Sequence, residues 1–247
     1  VLNGFEKESN FFHFRQKNQG QGNARNLALK HARGQIVLFI GDDIYAENDF
    51  VKAHIDFHFD YPEENTACLG GIEWFPGNET NDFMTWLTHG GPQFAYYKLK
   101  DGQEVDFRYF YTSNISLKIS LLKEERFDPD FKSYGWEDIE LGYRLCKKFM
   151  LKIIYKQKIL AYHDHIINEE SLKKRMLSVG TSAKLFEKKQ NEVRVVPKGL
   201  KLIILKLISF SPIIFILYIV KRIFPFAKKY YWYALSKRYF ILGLKNV

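Results

Sequence analysis

QIVLFIGDD, residues 35–43, is an apolar run of strand length that stops at a glycine and two adjacent aspartates. A run without alternation suits a strand covered on both faces, as in a parallel sheet. The flanks support that reading. Upstream, a glycine-rich turn at Asn18–Gly22 precedes a helical stretch over Ala24–Ala32, and Phe11–Arg15 reads as a short aromatic strand. Downstream, a helix is expected over Asn48–His58, strands over Ala67–Glu73, Tyr109–Lys118, Ile153–Tyr155 and Ile159–Tyr162, and helices over Glu137–Phe149 and Ser171–Lys188. Residues 76–106, rich in Gly, Thr and aromatics, read as an irregular excursion. Strands separated by helices predict an α/β layered domain with a mainly parallel sheet.

The chain has 247 residues, 46% of them hydrophobic and 26% charged, which excludes disorder, collagen and coiled coil as overall descriptions. Cys68 and Cys146 are isolated; they make no disulfide framework and suggest a reducing compartment. The charge divides sharply. No acidic residue follows Glu192, whereas Val193–Val247 holds eleven Lys and Arg; the 26 other basic residues nearly balance the 28 acids. The division predicts a domain over 1–192 and a basic, apolar tail over 193–247. A nucleic-acid-binding protein would spread its cations over the folded surface, so no nucleic-acid partner is expected.

Within the tail, Leu207–Val220 (LISFSPIIFILYIV) is uncharged, Pro212 is placed to kink a helix, and aromatics mix with lysines at 224–233. Fourteen residues are fewer than the roughly 20 that a span needs. Aromatics beside cations suit a membrane–water interface. The alternative is a helical hairpin packed on its own domain or on a partner chain.

Three pairs carry the chemistry. Asp42-Asp43 ends a strand, where ligands of open α/β sheets bind, and two carboxylates there are stabilised by a hard divalent ion. A solvated turn capping the next helix fits equally. Glu137-Asp138 opens a helix, either as a cap or as a general base aimed at a hydroxyl. His163-Asp164-His165 ends a strand and sets both rings on one face, suitable for a metal. His54 and His58 share a helix face without a third ligand, and read as structural.

In order and spacing, Asn18-x-Gly20-x-Gly22-Asn23-Ala24-Arg25, the strand ending in Asp42-Asp43, Thr112-Ser113-Asn114, Phe127-Asp128 and Tyr134-Gly135-Trp136-Glu137-Asp138-Ile139-Glu140-Leu141-Gly142-Tyr143-Arg144-Leu145 resemble the family 2 glycosyltransferases of the GT-A fold, over residues 11–165. The resemblance implies a three-layer nucleotide-diphospho-sugar transferase sandwich. It implies Mg2+ or Mn2+ on Asp43, with His163 or His165 as the distal ligand. Gly41 stands where the family often has another Asp. It further implies Asp42 and Arg25 near the diphosphate, Gly71 and Asn114 lining the sugar pocket, and Trp136 among the substrate-binding residues. Asp138 would be the catalytic base and Glu137 an acceptor-positioning residue.

The activity so implied is inverting transfer from a nucleotide-sugar, by default a UDP-sugar, to a saccharide or lipid-linked acceptor. Surface polysaccharide or glycolipid synthesis at the cytoplasmic face of a membrane is the expected setting. A sugar nucleotidyltransferase and a non-catalytic module of the same fold are the competing readings. The strand–helix–strand unit that opens such folds does not appear in these residues, so weak nucleotide binding by this chain is expected.

Overall fold

A computed structural model describes residues 10–77, 79–93 and 95–246. Helix α1 (Gln21–His31) starts from the glycine-rich turn, where Gly20 adopts φ 93°. A Cβ at Gly20 would lie 2.7 Å from the Phe131 carbonyl oxygen, so glycine is required both for the turn and for the close approach. Residues 11–15 form no strand. Phe14 is stacked on His31 and Arg33 lies over the Phe12 ring. Aromatic content alone does not make a strand where no ladder partner is available.

Six strands form one sheet: β1 (Ile36–Ile40), β2 (Ile44–Ala46), β3 (Thr66–Trp74), β4 (Glu104–Val105), β5 (Asn114–Lys118) and β6 (Lys152–His163). The order is β1-β5-β3-β6-β2, with β4 also on the outer edge of β6. The sheet is mixed, which corrects the expected mainly parallel one. Only β3 and β6 run parallel; the other pairings among the described residues are antiparallel. A strand buried on both faces shows no alternation in either case, so its sequence leaves the direction of its partner open. The connection decides: β5 enters from the long 75–113 excursion and runs against both β1 and β3.

The two short strands expected at 153–162 are one strand, β6, broken by a bulge. Gly70 pairs with Lys156 but Gly71 with Leu160, which leaves residues 157–159 looped out. The excursion is less irregular than its composition predicts. It contains α3 (Asp82–Thr88), capped by the Asn81 side chain accepting from the Met84 amide, with Phe83, Met84 and Leu87 buried.

Both faces of the sheet are covered. In β5 the residues Asn114–Leu117 are all buried. Asn114 and Ser116 face helix α2 (Phe50–Asp60), while Ile115 and Leu117 turn to the opposite side. The core joins Phe50 and Phe57 of α2, Leu69, Ile115 and Ile153 of the sheet, and Leu141 and Leu145 of helix α5 (Glu137–Phe149). Helix α4 (Ile119–Glu124) follows β5 directly.

A second cluster joins α3, helix α6 (Ser171–Lys189) and the C-terminal helices α8 (Ser211–Ile223) and α9 (Lys228–Gly243); helix α7 (Gly199–Ile208) precedes them and contributes no buried residue. Phe83, Met176, Trp232 and Leu235 are buried in it. Gly180 of α6 and Gly243 of α9 make the closest crossing: a Cβ on Gly180 would lie 2.3 Å from the Phe240 oxygen, and one on Gly243 2.2 Å from the Leu177 oxygen. Pro212 lies in the first turn of α8, where its missing N–H costs nothing, and the chain bends by 49° between α7 and α8.

Candidate active site

The antiparallel pairing of β2 with β6 sets Ile44 opposite His163. Asp43, one residue earlier, therefore falls beside the end of β6, and its carbonyl accepts from the Asp164 amide at 2.8 Å. His163 Nε2 lies 3.3 Å from Asp43 Oδ2. Burial lowers the basicity of His163 and Asp43 opposes that shift. The His165 ring is 6.0 Å from that of His163, and Asp42 is exposed. The carboxylate of Asp43 folds over Gly41: a Cβ there would lie 2.7 Å from Asp43 Oδ1. An Asp at position 41 would displace the carboxylate, which gives Gly41 a local reason.

Glu137 and Asp138 open α5 but have different surroundings. Glu137 is buried and fully engaged: Oε1 pairs with Arg25 Nη1 at 3.0 Å and Oε2 accepts from the Gly135 amide at 3.1 Å. Arg25 in turn lies over the Phe127 ring. Asp138 is held more loosely. Oδ1 accepts from the Ile139 amide at 2.8 Å, and Oδ2 lies 3.4 Å from both the amide and the hydroxyl of Thr112. Protein crowds the Asp138 carboxyl, and that desolvation, with the charge of Glu137, pushes its pKa up to about 7 against the pull of Arg25. The turn that delivers the pair is strained: Gly135 and Trp136 both adopt positive φ, 95° and 72°. Such a conformation costs a non-glycine residue about 1 kcal/mol or more.

Tyr134 joins the two acidic groups. Its ring is partly exposed, yet the hydroxyl is raised by burial, lowered by Arg175, and raised again by Asp138, Glu137 and Asp43. One hydroxyl thus lies within electrostatic reach of both clusters, and the region around it is the candidate cleft. Arg175, from the first turns of α6, donates to the Tyr134 hydroxyl and stands over its ring. The charge of Arg175 also reaches His163. Tyr134 lies inside a motif quoted above, and Thr112 inside another. Arg175 lies in none, and nothing in its local sequence separates it from its lysine neighbours.

Beside the cleft is a cavity of about 350 Å³ lined by Gly71, Glu73, Trp74, His89, Tyr97 and Gln157, among others. The Trp74 ring touches His163, and the wall residue Tyr96 lies within electrostatic reach of Asp138. Gly71 is therefore a lining residue. Asn114, expected beside it, does not line this cavity. It is fully buried beneath the cavity, with Nδ2 donating to the Gly71 and Ile159 carbonyls at 2.9 Å and Oδ1 facing His54 Nε2 at 2.9 Å. Every polar atom of its side chain is already used: the amide nitrogen ties β3 to the β6 bulge and the oxygen is taken by His54. Trp136 also departs from expectation. Its indole N–H donates to the Val179 carbonyl at 3.1 Å and its ring packs on Phe186, so it fastens the strained turn to α6.

His54 and His58 make no metal site. The Asn114 amide must donate to the two carbonyls, so its oxygen accepts from His54 Nε2–H. His54 Nδ1 then accepts from the Ser116 hydroxyl at 2.8 Å, and Ser116 Oγ accepts from His58 Nε2–H at 2.9 Å. Burial lowers both histidines to about 4, so both are neutral near pH 7.

No group of three or more metal-binding side chains converges among the described residues. Asp43 and His163 nevertheless suit a hard ion that takes one or two protein ligands and completes its shell with water and substrate phosphates.

With this geometry, the Glycosyl transferase family 2 model matches residues 2–124. Two curated proteins are similar: an uncharacterized glycosyltransferase, YfnE, of Bacillus subtilis and chondroitin synthase of Pasteurella multocida. YfnE is 26% identical over 203 residues, 64% of this chain and 51% of its own length. The synthase is 25% identical over 219 residues, 76% of this chain and 22% of its own. The chain thus spans about half of one relative and about a fifth of the other. In fold it is similar to the mannosyltransferase PcManGT of Pyrobaculum calidifontis, solved with GDP-Man and Mn2+, with a TM-score of 0.53 at 15% identity over 93% of this chain and 66% of that one. The chain resembles the family 2 glycosyltransferases over its first half and has a GT-A-like fold.

Proposed function

We propose that the chain transfers a sugar, with inversion, from a nucleotide-sugar to a hydroxyl of a saccharide or lipid-linked acceptor, and that Asp138 is the base. The observation that supports this best is the inequality of the two carboxylates at 137 and 138. Glu137 is held by Arg25 and the Gly135 amide, whereas Asp138 is crowded by protein, loosely bonded and raised in pKa. A base serves best when its pKa lies near the working pH. In the transfer the acceptor oxygen attacks the anomeric carbon and its proton passes to an Asp138 oxygen. The bond to the diphosphate breaks, and the electron pair leaves with the phosphate oxygen.

Asp43 and His163 would hold Mg2+ or Mn2+, which neutralises charge on the departing diphosphate. Arg175 adds a fixed positive charge on the same side. The cavity at Gly71 seats a sugar ring; its volume is within the range of small-molecule sites. A UDP-sugar is the default donor, as the family resemblance implies. The reaction is assigned to the cytoplasmic face of a membrane, in line with two free cysteines.

The test is a product assay with UDP-sugars, Mn2+ and a panel of saccharide and lipid-linked acceptors. Release of UDP, together with an anomeric configuration opposite to the donor's, supports the reading. Release of pyrophosphate would show nucleotidyl transfer instead.

A further inference from the structure

Helix α8 has two apolar stripes. Ile214, Leu217 and Tyr218 pack against the cluster that contains Tyr231, Trp232 and Leu235 of α9. Phe215, Ile216, Ile219 and Ile223 lie on the other side, and they are 65%, 59%, 42% and 67% exposed. Their spacing of one, four and eight residues puts them on one helical face. Leu200, Ile203, Ile204 and Leu207 form the same kind of exposed stripe on α7, and Phe210 stands exposed at the bend between the helices. Soluble surfaces seldom carry so many adjacent bare aliphatic and aromatic side chains.

The charges around this face have one sign. Lys221 is tied to Glu169 and rests on the Tyr231 ring, and Lys228 is tied to Asp82. These contacts, with the Trp232 indole donating to Glu169, fasten α8 and α9 to the body of the protein. Lys201, Lys206, Arg222 and Lys229 have no carboxylate partner among the described residues. Two copies joined face to face through this surface would bring like charges together, with no acid in the tail to offset them. An anionic lipid surface offers both an apolar phase and the opposite charge.

We propose that α7 and α8 lie in the headgroup–acyl boundary of an anionic bilayer, with Leu207, Phe215, Ile216 and Ile219 toward the acyl chains and Lys201, Lys206, Arg222 and Lys229 at the phosphates. The helices lie along the interface and do not cross it. No single helix among the described residues is long and apolar enough to cross a membrane. The bent α7–α8 pair, long and apolar enough only when taken together, has one side of α8 covered by protein. The assignment stands whether or not the chain transfers sugar.

The test is co-sedimentation of the full chain with vesicles of phosphatidylcholine, with and without phosphatidylglycerol, at rising salt. Binding should be roughly tenfold or more tighter with phosphatidylglycerol and weaken as salt rises. The double variant F215E/I219E should lose binding with its circular-dichroism melt unchanged. K201Q/K206Q, which keeps the apolar face intact, should lose only the phosphatidylglycerol preference. Absence of vesicle binding, equal salt-independent binding to both lipids, or a solution dimer that F215E/I219E dissociates would each overturn the proposal.

Discussion

Two polar networks lie on either side of β5, and they are finished to different degrees. Beneath the sheet, His58, Ser116, His54 and Asn114 pass hydrogen bonds in one direction until they end on the Gly71 carbonyl of β3 and the Ile159 carbonyl of the β6 bulge. Each named donor there has an acceptor, and the result is rigidity. At the cleft, Glu137 is equally well satisfied, but Asp138 has two long contacts from Thr112 and a like charge beside it. The network beneath the sheet fixes a backbone with one ring nitrogen, His58 Nδ1, left over, whereas the carboxyl of Asp138 is the loosely bonded member of its site. The pair differs by one residue in sequence, and the helix start separates their roles.

The contrast can be broken at several points. The largest effect is expected from D138N. It should reduce kcat by about 10²–10⁴-fold, measured as UDP release, and full activity in this variant would remove Asp138 from the mechanism. The folded protein binds the Asp138 proton more tightly than the unfolded chain does, so wild-type stability falls as pH rises from about 4 toward 7. D138N escapes this penalty, and its melting temperature should exceed the wild type's at pH 8 and approach it at pH 4.

Next, N114A removes two donated hydrogen bonds and an acceptor from a fully buried site. Urea unfolding should show a loss of roughly 3 kcal/mol; a loss below about 1 kcal/mol would mean that Asn114 does not pin the bulge.

The histidines act in the opposite pH direction to Asp138. Their folded pKa values are near 4 against an ordinary 6.5, so the unfolded chain takes up protons first and their contribution is lost as pH falls from 6.5 toward 4. H54Q should flatten that slope in urea midpoints measured between pH 7 and pH 5. The smallest effect belongs to T112V. Removing a donor to the ionised carboxyl raises its pKa, so the ascending limb of the pH–rate profile should move up by roughly a few tenths of a pH unit.

How much of this was legible in the sequence depends on whether a feature is local. Helix α5 matches its expected limits because Glu137 and Asp138 at its start and the apolar spacing behind them are local signals. The β3 strand was legible for the same reason. Strand direction was not, because Ile36–Ile40 is equally compatible with either kind of neighbour. Helix α3 was missed because seven residues in an aromatic, glycine-bearing stretch give too short a pattern, and its stability comes from packing on Trp232. In the cleft, residue types were readable and partners were not. Asn114 has the composition of a ligand-binding residue, and only three-dimensional contacts show that its amide is already taken. Arg175 carries no signature at all, since its position comes from how α6 crosses α9.

That crossing has a practical consequence. With Gly180 against the backbone of α9 and Gly243 against the backbone of α6, the two rods touch without intervening side chains. Arg175 stands about one turn before the contact, at the edge of the cleft. Anyone grafting a relative's C-terminal segment onto this chain, or trimming it at residue 192 for crystallisation, would therefore disturb the seat of that arginine. Chimaeras are better joined before Ser171, so that both rods are exchanged as a matched set.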